Sequence, residues 1–471
     1  MKRNLIPALI LVLILLSACA QPSPPTTEAP PATTAPVTRV EPEAVTQQPA
    51  STQAVETSPV EPAGEGDACL ACHSSPELLA ASADAAGSTQ AGELDKYLVD
   101  GEQFPQSVHG LNGCMSCHGG QAAEDKATAH LGMTADPGSS AQALCGECHP
   151  NVTAVHAGSL HMNLSGIRYA LKQRSLLADH PAVDEAVDAV FGDYQAACGD
   201  CHVSYPEAAG GGLIAGHMFQ RRPDMEATCT ACHNTLAGAE FLGENGHSGD
   251  VHYTQGGMEC VDCHEGSEMH GQPAECQTCH PGPEGQQLPP PNHRYDGVQS
   301  PRCETCHISV ATGNDDILMH EMHGSKLSCQ VCHATVYQNC ESCHIEVDGE
   351  VDFEASPGFL IGRNPMQTYD RPYEYVPVRH VPVEPGTFDS LGANLLKNFA
   401  RVETWKYATP HNIQRNTPQT TTCTACHGSD QFFLTVDKVD PAEVEANRNV
   451  IVDQPPAEIT SSEQFRLKIH I

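Results

Sequence analysis

The chain has 471 residues and a formal charge of −35, from 24 Lys and Arg against 59 Asp and Glu. So acidic a balance excludes nucleic-acid binding by phosphate neutralisation and favours cationic or metal-bearing partners. Only 39% of the residues are hydrophobic and 5% aromatic, beside 39 glycines and 36 prolines, a mixture from which an ordinary packed core is hard to build.

In chain order, Lys2 and Arg3 precede a 12-residue apolar run from Leu5 to Leu16, interrupted only by Pro7. That is the length of a signal-peptide core and too short to span a bilayer. The run ends in Leu16-Ser17-Ala18-Cys19, which resembles the lipobox of bacterial lipoproteins. The resemblance implies a signal peptide over 1–18 and acyl chains on Cys19, hence an exported protein anchored to a membrane, periplasmic or on the cell surface. Residues 19–66 are rich in Pro, Thr, Ala, Glu and Gln without apolar periodicity and read as a disordered, lipid-anchored tether.

The chemistry-bearing region follows. Of 23 cysteines, 22 fall into eleven copies of Cys-x-x-Cys-His. Their cysteines are Cys69 and Cys72, Cys114 and Cys117, Cys145 and Cys148, Cys198 and Cys201, Cys229 and Cys232, Cys260 and Cys263, Cys276 and Cys279, Cys303 and Cys306, Cys329 and Cys332, Cys340 and Cys343, and Cys423 and Cys426. Their histidines are His73, His118, His149, His202, His233, His264, His280, His307, His333, His344 and His427. A spacing of 31 residues between motif starts recurs three times, without making a regular array.

Cys-x-x-Cys-His is the attachment signature of c-type haem. Two cysteines three apart share one face of a helical turn and can form thioethers to one porphyrin, while the histidine addresses the iron. Zinc sites pair two Cys-x-x-Cys units but have no need of a histidine directly after each. Thioredoxin-like redox motifs are usually single and follow a strand. About eleven covalent haems c are therefore expected. If every motif is used, no cysteine is left for a disulfide scaffold.

Ten motifs lie in 67–352, read as a haem-packed domain, and the eleventh ends a haem-poor segment, 353–430, before a C-terminal tail over 431–471. Short helical turns are expected to carry many of the motifs. The best longer helix is Leu160 to Ala197, split by Pro181. Segments around Tyr373–Val376 and Val381–Val383 look extended. The fold class is mostly irregular with short α-helices, organised around a stacked multihaem core, with little β.

Fifteen of the 26 histidines lie outside the motifs, and bis-histidine ligation of every haem would need eleven of them. Several sit shortly before a motif. The candidate second ligands are His109, His156, His161, His217, His247, His252, His270, His293, His320, His323 and His411, leaving His130, His180, His380 and His470 over. Met133, Met218 and Met322 are alternative ligands.

Stretches such as Cys198–Ser204, Gly256–His264 and His323–Cys329 resemble the large bacterial multihaem c-type cytochromes. That resemblance implies electron transfer through closely spaced haems in anaerobic or extracellular respiration. It also implies partners that are redox proteins, a membrane quinol-oxidising complex or an extracellular acceptor. The same superfamily includes enzymes acting on nitrite, hydroxylamine and tetrathionate, so a reductase with one open haem is the alternative. No motif here ends in the lysine common in the nitrite enzymes. The segment with Arg379, His380, Lys406 and Tyr407 is where such an enzyme would present cationic and proton-donating groups. The favoured role for Arg379 and Lys406 is pairing with haem propionates, with Tyr407 simply packing.

Overall fold

The computed structural model describes residues 67–86, 94–140, 142–175, 184–185, 187–189, 195–271, 301–339, 357–367, 371–381 and 401–460. The motifs at Cys276 and Cys340, together with His180, His293, His470, Cys19 and the tether, lie outside these residues.

Short helices and irregular chain make up most of the described fold, and β structure is small. Helical turns fall where the motifs are, as at Cys114–His118, Cys198–His202, Cys260–Cys263 and Cys329–His333. Local chemistry starts these turns. Asp200 and Asp262, each just before the second cysteine, reach back to accept the backbone N–H groups of Ala197 and Glu259, both at 2.8 Å. Each satisfies an otherwise orphaned donor at the start of its turn. Gly119 stops one of them with φ +66°, a conformation that favours glycine.

The long helix expected from Leu160 onward is broken earlier than Pro181. Helices Leu160–Asn163 and Ser165–Arg174 meet at Leu164, whose φ is +52°. Ser159 caps the first by accepting the Met162 N–H at 3.2 Å.

The β structure comprises a two-stranded pair, β1 (Tyr337–Gln338) and β2 (Pro357–Gly358), and a three-stranded antiparallel sheet. The sheet contains β3 (Leu360–Arg363), β4 (Tyr375–His380) and β5 (Trp405–Tyr407) in that order. Pro377 lies in the central strand, where a missing N–H ordinarily breaks the ladder. Its position opposes Ala408, one residue past the end of β5, and its carbonyl still accepts the Ala408 N–H at 2.9 Å. The expected extended segment near Tyr375 is thus β4, and residues 382 and 383 lie outside the described chain.

The apolar core sits on this sheet. Val376, Val378 and Tyr407 pack with Leu434, Val439, Val450 and Ile451. A second cluster joins Ile361, Phe433 and Val452 to Val331, with Cys332 and Cys426 against it. Much of the stretch expected as a tail therefore belongs to the core. It also fixes two motifs, since Val331 lies inside one and Cys426 belongs to the other. Buried Tyr337 donates its hydroxyl to the Val378 carbonyl and ties β1 to the sheet.

Candidate cofactor sites

The nine described motifs line one continuous cavity of about 5600 Å³. A pocket for one drug-sized ligand takes about 300–1,000 Å³. All 18 described cysteines are free thiols. Burial pushes the Cys201 thiol up to about 12 and the Cys332 thiol up to about 11.

Each described motif histidine faces one further histidine. His73 faces His130 at 6.1 Å between ring centres, His118 faces His217 at 6.0 Å, and His149 faces His109 at 6.3 Å. His202 faces His270 at 6.0 Å, His233 faces His161 at 6.2 Å, and His264 faces His411 at 6.2 Å. His307 faces His252 and His333 faces His320, both at 6.0 Å, while His427 faces His323 at 6.3 Å. An imidazole nitrogen bonds a metal ion at about 2 Å and the ring centre lies about 1 Å behind it, so two rings gripping one ion from opposite sides stand about 6 Å apart.

The rings are oriented by their outer nitrogens. Nδ1–H of His118 donates to the Thr134 carbonyl at 3.0 Å, that of His333 to Gln414 at 3.0 Å, and that of His427 to Ala457 at 3.1 Å. His264 donates to the Glu268 carboxylate at 3.0 Å. The facing rings follow the same rule: His130 donates to the Lys126 carbonyl at 2.7 Å, His252 to Asp250 at 2.7 Å, and His320 to Asp315. A proton held on Nδ1 leaves Nε2 as the free lone pair, the usual arrangement behind a metal-binding histidine. Burial pushes His217 and His411 down to about 4, which keeps both imidazoles neutral at neutral pH.

Chain segments far apart in sequence hold these positions. The Thr417 hydroxyl donates to the Cys332 carbonyl at 2.5 Å, and the Gln419 amide donates to the carbonyls of Val331 at 3.1 Å and Ala334 at 2.7 Å. His411 is fixed by Glu240, which is fully buried, accepts the His411 backbone N–H at 2.9 Å and pairs with Arg379. Burial holds the Glu240 carboxyl above its usual range, against the pull of Arg379.

Of the expected second ligands, eight stand opposite a motif histidine, and two described ones do not. His156 is buried, lies 3.2 Å from the Ala196 carbonyl and meets His270 edge-on at 6.5 Å. His247 bonds the Val336 carbonyl at 3.2 Å. His293 lies outside the described residues. His130, left over in the sequence reading, is the partner of His73. It lies between the motifs at Cys114 and Cys145, and nothing in its local sequence marks it as a partner of His73. No methionine takes part in the nine pairs.

Arg379, Lys406 and Tyr407, groups of the enzyme alternative, line the same cavity, and the charged ones have protein partners. Arg379 pairs with Glu240, Lys406 with Glu403 at 3.1 Å, and His380 with Glu443 at 3.0 Å, while Tyr407 packs in the core. Among the described residues no group of three or more His, Cys, Asp or Glu is arranged to hold a bare metal ion. None of their helices is long and apolar enough to cross a membrane. No family model matches the chain, and the searches of curated proteins and of solved structures return no match.

Proposed function

We propose that this chain is an exported multihaem c-type cytochrome that carries electrons through about eleven covalently bound haems. In each described motif the two cysteines would form the thioethers, and the motif histidine and its facing histidine would be the two axial ligands. Bound haem supplies an iron that takes up and returns single electrons. The chain's own residues set ring orientations through Nδ1 and surround the group with apolar side chains. Anchoring through Cys19, and redox partners such as a quinol-oxidising complex or an extracellular acceptor, belong to the same proposal.

One observation carries this reading: all nine described motif histidines face a second histidine across 6.0–6.3 Å. A closed pair at every described motif favours a carrier over a reductase, which needs an open iron. The test is a haem count by the pyridine complex together with carbon monoxide binding to the reduced protein. A count near eleven without a carbon monoxide shift is expected. Absence of covalent haem would overturn the reading, and a shift equal to about one haem would replace the carrier with an enzyme.

A further inference from the structure

The order in which the motifs meet in space can be read from contacts between thiols of different motifs. The Cys114 thiol lies near that of Cys69, which joins the second motif to the first. Cys145 lies within electrostatic reach of Cys117 on one side and of Cys198 on the other. Cys201 lies close to Cys229, and Cys229 lies close to Cys260. Every one of these steps leads to the next motif in the sequence.

The file then continues across the motifs that lie outside the described residues. Cys263 lies close to Cys306, and Cys303 lies close to Cys329. Cys332 in turn lies close to Cys426.

Packing and polar contacts repeat three of these links independently, those from Cys145 to Cys198, from Cys229 to Cys260 and from Cys303 to Cys329. The turn Cys260–Cys263 packs on the turn Met225–Cys229. Arg222, ahead of the latter, spans to Glu259 at 2.8 Å and to Asp262 at 3.0 Å. The turn Cys198–His202 packs on Pro137–Ser140, just ahead of Cys145. Tyr373, close to Cys329, donates to Glu304 inside the preceding described motif at 2.6 Å.

We infer that the nine described motifs form one unbranched file in chain order, ending at the Cys69 motif and the Cys423 motif, and that this file runs directly from Cys260 to Cys303 and from Cys329 to Cys423. The inference deepens the haem reading and rests on it. Among the nine described motifs it gives the carrier two ends, each a place where a one-electron donor or acceptor would dock, and places every station between them on one path.

The test is a cryo-electron-microscopy map of the full-length protein purified with its cofactors, from which iron–iron neighbours are read directly. Each iron bound at a motif between the two ends is expected to have, among these nine, two nearest neighbours, those of the motifs before and after it. An iron with three such neighbours, or neighbours out of chain order, would overturn the file and leave the haem reading intact. Motifs without iron would overturn the haem reading and the file together.

Discussion

Glu240 accepts the backbone N–H of His411 at 2.9 Å across 171 residues of chain. The same carboxylate pairs with Arg379, so one buried ion pair fixes the ring that faces His264. Breaking a buried pair leaves a charge without compensation, at a cost of about 3 kcal/mol. E240Q is therefore expected to lower stability by about that amount, measured by denaturant unfolding followed by circular dichroism. A variant as stable as the parent would show that Arg379 finds another partner.

His130 faces His73, whereas His380 is bonded to Glu443 and lies against Trp405. H130A is expected to open one iron, seen as a high-spin signal and one carbon monoxide per chain. H380A is expected to leave the iron spectrum unchanged. An unchanged spectrum in H130A would remove His130 from the ligand set.

Glu443 carries a pH-dependent share of stability. Burial raises its carboxyl, but hydrogen bonds from His380 and Thr404 more than reverse this, so it ends below its usual value of 4.5. The folded state then binds fewer protons than the unfolded state in that range, and its contribution is present above about pH 4.5 and is lost as pH falls through the lowered folded value. E443Q is expected to cost about 1 kcal/mol at pH 7, with the difference from the parent shrinking under acid conditions. Paired melts at pH 7 and pH 3 measure it, and an equal gap at both would refute the carboxylate's role.

Gly362 faces the core without room for a side chain. A Cβ there would stand 2.7 Å from Cγ1 of Val378 and 3.0 Å from the Val450 carbonyl oxygen. G362A is expected to destabilise by about 2 kcal/mol through overpacking. An unchanged melting temperature would mean that β3 shifts freely, contrary to its pairing with β4.

Spacing was a sound guide to local structure and a poor one to partnership. Cysteines three positions apart match one helical turn, so the turns at Cys114, Cys198 and Cys329 were legible. Histidines near motifs stood out as well, but nearness did not reveal what they face. His109 lies just before Cys114 yet faces His149, and His411 lies just before Cys423 yet faces His264. Tertiary packing makes those assignments, and no local period records it. The core was hidden for a similar reason. Phe433, Leu434, Val439 and Val450 to Val452 follow neither a helical nor a strand repeat, because irregular chain delivers them to the sheet.

The histidine pairs also overlap along the chain. The span from His73 to His130 runs past His109, whose own span to His149 runs past His118, and that of His118 to His217 runs past His161. The overlap continues through His202, His252, His264 and His323 to His427. With both rings of each pair bound to one iron, every stretch from His73 to His427 would lie inside at least one closed loop, and each loop would interlock with the next. Opening one such loop would strain the loops that overlap it, so the described stretches would lose their structure together more readily than one by one.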